Sequence, residues 1–284
     1  MSDQDGVLVL VATPIGNLGD LSPRAVDTLR DATLIAAEDT RRTRALMTHA
    51  GVPAAGRLRS VHAHNEREGA EWIVDAVRDG GRVAYVTDAG MPGISDPGER
   101  LVRACLDAGL AVDVVPGPSA VLTALVLSGF PTDRFVFEGF LPRRGVARRD
   151  RIAALVNEPR TVVLYESPKR VHATLTQLLT ACGPVREVAV ARELTKLHEE
   201  VWRGPLVEAV GHVELTEPRG EHVIVLAPAP PTPEANDDEV DAHVSAALTE
   251  GLSTRDAAAR VAKDLRVPRR RTYDAAMRLK PPRT

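Results

Sequence analysis

RVAYVTDAGMPGISDPGERLVRACLDAG, Arg82 to Gly109, changes character twice. RVAYV is a short β-branched, apolar run of the kind that forms a buried strand. TDAGMPGISDPG, Thr87 to Gly98, then packs Gly90, Gly93 and Gly98 among two aspartates and two prolines, a composition that breaks regular structure. ERLVRACLDAG returns to helical spacing. A strand, a glycine loop and a helix in that order make one unit of an α/β fold.

The same order repeats on both sides of this stretch. Upstream, VLVLVAT (7 to 13) is followed by SPRAVDTLRDA, with Ser22 placed as N-cap and Pro23 at the first helical position. TLIAAE, a helix over 40–49, a strand at SVHAH and a helix over 65–79 follow. That last helix sets Trp72, Ile73, Ala76 and Val77 on one face and leaves Glu66, Arg67, Glu68 and Arg78 largely off it. AVDVVP closes the series, which implies a first α/β domain over 1–116 with a mostly parallel sheet. A second series over 117–229 contains the apolar helix SAVLTALVLSG, RFVFEGF, a basic helix near 146–157, TVVLYES, KRVHATLTQLLTAC, VAVARE, EEVWRG, a helix from Pro205, and EHVIVLA. A proline-rich linker over 230–236 leads to a helical, helix-turn-helix-like tail over 237–284. From Ser253 onward ten Lys/Arg stand against three Asp, a net of +7. Phosphate neutralisation by RNA-binding residues is one reading of that tail, and a solvated helix pair is the other.

Composition narrows the classes. The chain has 284 residues, 44% of them hydrophobic and 26% charged, with a net charge of −3, as expected of a soluble globular protein. Only 3% are aromatic, so the cores must be built from Val, Leu, Ile and Ala. No apolar run approaches the roughly 20 residues of a membrane span, and MSDQDGVLVL lacks the basic start of a signal peptide, so a cytoplasmic protein is expected. Cys105 and Cys182 fall at apolar helix positions and read as small buried hydrophobes. His62 and His64 form a bare H-x-H with no completing ligands, so no metal is expected.

Ligands of parallel α/β sheets sit at the carboxyl ends of the strands. Three loops qualify. ATPIGNLGDLS carries Gly16 and Gly19, which would let backbone approach a ligand, although it lacks the G-x-G-x-x-G dinucleotide pattern. TDAGMPGISDPG offers Asp88 as its first polar side chain. PGPSA places Ser119 to cap a helix whose free N–H groups favour an anion. The second half adds YESPKR and ARELTKLHEEVWRG, two charged segments at strand ends that read either as polar anchors of a cleft or as salt-bridged surface.

VATPIGNLGDLSPRA, AEDTRRT, VTDAGMPGISDPG, VVPGPSA with ALVLSGF, FVFEGFLPRR, YESPKR and RELTKLHEE together resemble the ribosomal RNA small subunit methyltransferase I family of the tetrapyrrole methylase-like superfamily, in order from Val7 to about Ala227. The resemblance implies two α/β domains with an S-adenosylmethionine cleft between them, plus a small C-terminal helical domain. It also implies a homodimer, and methylation of the ribose 2′-hydroxyl of a cytidine in the decoding centre of small-subunit rRNA, in an assembled or nearly assembled 30S subunit. Carried onto this sequence, the cofactor-binding residues are Pro14, Ile15 and Gly16; Asp88, Ala89, Gly90 and Met91; Ser119 and Ala120; Tyr165; Ala191 and Arg192; and Gly220 and Glu221. Glu193 and Lys196, beside one of these loops, are the candidates for a catalytic base. Arg143, Arg144, Arg148, Arg149, Lys169 and Arg170 would form a basic rim for RNA phosphates, with Arg269, Arg270 and Arg271 in the tail. Two other readings stay open: a methyltransferase of a corrin or porphyrin precursor, for which a basic tail has no use, and a non-catalytic ribosome-binding module, which needs no cofactor loops.

Overall fold

The structure is a computed structural model and describes residues 6–215, 219–231 and 235–279. It divides into two compact units, Met1–Ala229 and Pro230–Thr284.

The first unit contains two five-stranded sheets. The first is built from β1 (Val7–Val11), β2 (Leu34–Ala37), β3 (Leu58–Ser60), β4 (Arg82–Val86) and β5 (Ala111–Val115), in the order β3-β2-β4-β1-β5 and parallel throughout. Its central strands are apolar at nearly every position because helices cover both faces. On one face α1 (Pro23–Asp31) and α2 (Thr40–His49) bring Leu29 and Met47 against Val9, Val11, Ile35 and Ala84. On the other, α3 (Glu66–Arg78) and α4 (Glu99–Asp107) bring Ile73, Leu101 and Cys105 against Leu8, Leu10 and Tyr85. Ser22 caps α1 by accepting from Ala25 N at 3.1 Å, with Pro23 in the first turn. The neighbouring strands β1 and β4 thus lead into helices on opposite faces. A crevice opens at their carboxyl ends, as it does at the switch point of an open α/β sheet.

The second sheet comprises β6 (Phe135–Phe140), β7 (Thr161–Glu166), β8 (Glu187–Arg192), β9 (Glu200–Pro205) and β10 (His222–Leu226), in the order β6-β7-β10-β8-β9. It is mixed: β6 and β7 are parallel, whereas β10 runs antiparallel to both β7 and β8. Helices α6 (Val146–Leu155), α7 (Val171–Cys182) and α8 (Leu206–Leu215) cover one face. The other face receives α5 (Ala120–Ser128) through Val121 and Leu125, together with Ile15 and Leu194 from loops. The second unit packs α9 (Asp237–Thr249), α10 (Thr254–Asp264) and α11 (Arg269–Leu279) around Val240, Val244, Ala258, Val261 and Ala276.

Some sequence expectations change. The third strand is Leu58–Ser60, and SVHAH instead continues into the turn before α3. Glu66 is not off the buried face: it is 8% exposed and accepts a hydrogen bond from Gly98 N at 2.8 Å, so it ties α3 to the loop before α4. In the tail, Arg271 pairs with Asp237, Arg278 with Asp241 and Arg260 with Glu250, so acidic side chains of the same unit offset part of the basic count. Residues 232–234 of the linker, and Lys280 and Arg283 of that count, lie outside the described residues.

Candidate active site

The loops after β1 and β4 are fastened to each other. Thr13 N donates to Gly90 O at 3.0 Å, Gly90 N returns to Thr13 O at 3.1 Å, and Thr13 Oγ1 donates to Thr87 O at 3.3 Å. Gly90 sits at φ +80°, where a side chain would be strained, so the glycine lets the chain turn back onto Thr13. Beside this junction lies a cavity of about 410 Å3, within the roughly 300–1,000 Å3 typical of small-molecule and cofactor sites.

One wall comes from the first sheet. Ile15, Glu38, Arg42 and Asp88 through Met91 line it, with Ile94, Ser95 and Asp96 from the far end of the same loop. This wall is crowded with carboxylates. Asp88 Oδ1 accepts from Asp39 N at 3.2 Å and Oδ2 lies 3.5 Å from Arg42, while Asp88 N donates to Glu38 at 3.3 Å. Burial raises the Glu38 pKa, and the negative charge of Asp88 adds to it. Within the described residues the Asp96 carboxylate takes part in no hydrogen bond or ion pair. Burial first, then the charges of Glu38, Asp88 and Glu221, push Asp96 up to about 7.

The opposite wall comes from the second sheet and α5. Ser119 and Ala120 open α5, where Ser119 Oγ accepts from Leu122 N at 3.5 Å. Phe140 and Tyr165 contribute an aromatic face, with ring centroids 5.5 Å apart and Phe140 53% exposed. Behind them Glu166 is almost fully buried and well supplied with donors: Ser167 N at 2.8 Å, Thr174 Oγ1 at 2.6 Å and Arg170 Nε at 3.3 Å. His222, also buried, lines the cavity; burial lowers its pKa and its Nδ1 has no partner within the described residues. Leu194, Glu221 and Val223 complete the wall with Ser167 and Pro168.

Comparison with known proteins gives the arrangement a family. The model for Tetrapyrrole (Corrin/Porphyrin) Methylases matches residues 7–210, and that for the RsmI C-terminal HTH domain matches 234–280. Ribosomal RNA small subunit methyltransferase I of Synechocystis is 43% identical over 276 residues, covering 96% of this chain and 98% of that protein. The protein of the same name from Xylella fastidiosa is 47% identical, covering 94% of this chain and 98% of its own. The chain belongs to the ribosomal RNA small subunit methyltransferase I family. That makes it a methyltransferase of the tetrapyrrole methylase fold. Among solved structures the fold is similar to a cobalt precorrin-4 methyltransferase (TM-score 0.61, 17% identity, covering 80% of this chain and 97% of that one). It is also similar to the Thermus thermophilus uroporphyrin-III C-methyltransferase complexed with S-adenosylhomocysteine (TM-score 0.55, 22% identity, covering 78% and 97%).

Nine residues expected at the cofactor line the cavity: Ile15, Asp88, Ala89, Gly90, Met91, Ser119, Ala120, Tyr165 and Glu221. Five do not. Pro14 is buried behind Ile15, and Ala191 is buried in the core under α5. The Arg192 side chain instead reaches Glu200 at 2.9 Å. Gly16 packs closely on the segment after β8, where an added Cβ would lie 2.4 Å from Lys196 Cγ and 2.8 Å from Thr195 Oγ1. Gly220 likewise faces Glu193, whose Cγ would lie 2.4 Å from an added Cβ.

The two candidate bases are committed to each other. Lys196 Nζ donates to Glu193 at 2.9 Å and to Glu221 at 3.1 Å, and Glu193 also accepts from Glu221 N at 3.0 Å. The Lys196 hydrogen bond holds Glu193 below the usual carboxylate range. Burial acts to lower the Lys196 ammonium, but its hydrogen bonds to Glu193 and Glu221 prevail and the net shift is upward. Neither residue lines the cavity, and a weakened carboxylate base and a firmly protonated amine are both poor proton acceptors near neutral pH.

The basic rim also changes. Arg148 is 6% exposed and donates to Gln177 at 2.7 Å, Thr174 at 2.7 Å and Pro142 O at 3.0 Å, so it holds α6 to α7 and cannot meet a phosphate. Arg170 is half-buried, bonded to Leu141 O at 2.9 Å and paired with Glu166. Arg143, Arg144, Arg149 and Lys169 are exposed, as are Arg269 and Arg270, whereas Arg271 is half-buried on Asp237.

Glu38, Arg42, Asp96 and Phe140 are cavity residues that sequence reasoning did not single out, whereas Glu166 was reached through the charged segment YESPKR. Glu38 and Arg42 follow β2 within AEDTRRT, so the strand-end rule applied to that loop would have reached them. His222 and Val223 carry no such signal, because they begin β10, a strand running the other way.

Proposed function

We propose that this chain transfers a methyl group from S-adenosylmethionine to the ribose 2′-hydroxyl of a cytidine in the decoding centre of small-subunit rRNA. It would act on an assembled or nearly assembled 30S subunit, as a cytoplasmic homodimer. The observation that carries the reading is the likeness to ribosomal RNA small subunit methyltransferase I along both the catalytic fold and the tail. The cavity's chemistry suits the cofactor. S-adenosylmethionine brings a sulfonium and an ammonium, and Glu38, Asp88, Asp96 and Glu221 offer negative charge with only Arg42 opposing it on the first wall. The unpaired Nδ1 of buried His222 supplies a further polar contact for a ligand. Bound there, the cofactor supplies a methyl group already activated by positive sulfur, so no covalent nucleophile is needed.

The residues then have positional tasks. Ile15, Asp88 to Met91, Ser119, Ala120 and Tyr165 would hold the cofactor, and holding oxygen, carbon and sulfur in line supplies much of the rate. The exposed face of Phe140 offers a surface on which a nucleobase can stack. Arg143, Arg144, Arg149 and Lys169 are free to neutralise phosphates, which positions RNA without reading its sequence, and Arg269 and Arg270 do the same from the tail. We take 1–116 and 117–229 as the two domains that carry the walls, followed by the linker and the RNA-binding tail over 237–284.

The test uses labelled S-adenosylmethionine on small ribosomal subunits from a strain lacking the gene, followed by mapping of the modified nucleotide. Label in one cytidine ribose is expected. Label in a porphyrin or corrin precursor, with none in rRNA, would transfer the protein to macrocycle chemistry.

A further inference from the structure

The last helix of the tail, α11, carries its chemistry on the side that the fold leaves bare. Thr272, Ala275 and Ala276 are buried, and Thr272 Oγ1 donates to Ala258 O of α10 at 2.8 Å, so the rotation of α11 about its own axis is fixed. Away from that buried side, Arg270, Tyr273 and Met277 recur at helical spacing and form one exposed stripe, with Arg269 beside it. Tyr273 is 44% exposed and Met277 54%, and the Tyr273 hydroxyl has no hydrogen-bond partner among the described residues.

The cations of this region divide into two sets. Arg271 pairs with Asp237 and Arg278 with Asp241, which ties α11 to α9. Arg269 and Arg270 make no ion pair among the described residues, and neither does exposed Arg266 in the turn before the helix. Arg266 sits at φ +53°, where glycine would be at ease, so backbone geometry gives no reason for an arginine there. Helix stability does not account for the first turn of α11 either. Arg269, Arg270 and Arg271 stand where carboxylates are favoured, whereas α9 begins with Asp237, Asp238 and Glu239 and α10 has Asp256. Asp274, on the far flank of the stripe, lends its charge to Arg278.

An exposed ring beside uncommitted cations matches a nucleic acid strand, whose phosphates meet the cations while a base lies on the ring. Groove geometry decides which form of strand. A helix-turn-helix sets its second helix into the wide major groove of DNA, but the major groove of an RNA duplex is deep and narrow and cannot be read that way. An unpaired nucleotide can leave its neighbours and lay its base on an aromatic side chain. Building on the rRNA reading above, we propose that the tail binds an unpaired segment of RNA on this face of α11. Tyr273 takes a base on its ring, Met277 packs against the base edge, and Arg269 and Arg270 hold the flanking phosphates, with Arg266 adding to the positive field. Stacking accepts every base and phosphate contacts carry no sequence, so the tail supplies grip and position, and the choice of nucleotide stays with the cavity.

The experiment uses the full chain as wild type, Tyr273→Ala, Tyr273→Phe and Arg270→Ala. Each is titrated across a range of salt with a single-stranded RNA oligonucleotide carrying 2-aminopurine and, separately, with a blunt RNA duplex. Tyr273→Ala is expected to weaken single-strand binding about 5- to 100-fold and to reduce the quenching of 2-aminopurine that stacking produces, with the salt dependence unchanged. Tyr273→Phe keeps the ring and should stay within about threefold of wild type. Arg270→Ala should lower the slope of log K against log salt by about 0.7, the worth of one phosphate contact on a single strand. The duplex should bind more weakly than the single strand and be indifferent to Tyr273→Ala. Single-strand affinity of Tyr273→Ala within about twofold of wild type would overturn the proposal, as would duplex binding equal to or tighter than that of the single strand. Tyr273→Phe as weak as Tyr273→Ala would assign the contact to the hydroxyl and overturn stacking. The methylation reading fails separately: wild type that binds the single strand through Tyr273 yet labels no small-subunit rRNA would remove the methyl transfer and keep the tail site.

Discussion

Asp96 and Glu166 stand on opposite walls of one cavity, and they are the same functional group in opposite circumstances. Glu166 is 2% exposed and receives a backbone amide, a threonine hydroxyl and an arginine. Asp96 has water on one side, three carboxylates for neighbours and no partner among the described residues. The contrast extends to the walls. The second sheet closes its charges into networks, Glu166 with Thr174 and Arg148 on one side and Glu193, Lys196 and Glu221 on the other. The first sheet leaves the like charges of Glu38 and Asp88 facing each other, with Arg42 paired to Asp88 at 3.5 Å. Satisfied charge holds a wall in shape, and unsatisfied charge stores the capacity to bind a cation or accept a proton.

The largest expected effect breaks the satisfied side. Glu166→Ala would leave Arg148 and Arg170 short of their compensating charge and the Thr174 hydroxyl without its acceptor, at a cost of about 3–5 kcal/mol. Urea unfolding should show a lowered midpoint with an unchanged slope. A midpoint shift under about 0.5 kcal/mol would mean that the buried network does not hold the second sheet to α7.

Asp88→Ala probes the other wall and should move binding more than folding. The removed carboxylate accepts one backbone amide and faces one exposed arginine, so the fold keeps its core. S-adenosylmethionine affinity should fall about 10- to 100-fold by calorimetry, the worth of a charged hydrogen bond of about 1.5–3 kcal/mol. Unchanged affinity would remove Asp88 from the cofactor site, and a thermal shift as large as that of Glu166→Ala would erase the distinction between the walls.

The two walls were also unequally legible in the sequence. Strands of the first sheet read as uninterrupted apolar runs, Ser22 and Pro23 mark the start of α1, and ligand loops at parallel strand ends follow from topology. HVIVL reads as a strand equally well in either direction. Only its pairing, antiparallel to β7 and β8, brings Glu221, His222 and Val223 to the cavity. Partners distant along the chain hid other roles. Gly16 packs on Lys196, Glu66 caps a loop through Gly98, and of neighbouring arginines Arg148 turns inward while Arg149 stays exposed. Asp88 and Asp96 share one loop, and only their surroundings in the fold separate a partnered carboxylate from a free one.

The smallest expected effect tests that separation through stability alone. Asp96 binds its proton more tightly folded, with a pKa of about 7, than unfolded, where an aspartate titrates near 4. Between those two values the native state holds more protons than the unfolded state, so stability falls as pH rises through the window, and the full cost of the folded charge is present above it. Asp96→Asn removes a charge that the fold tolerates poorly. Because the cavity admits water, the gain is about 1–2 kcal/mol, well below the full shift. The variant should therefore melt a few degrees above wild type at pH 8 and together with it near pH 4, where both side chains are neutral. Equal melting at both pH values would mean that Asp96 ionises freely in the native cavity. A gain that persists at pH 4 would trace to packing and not to charge.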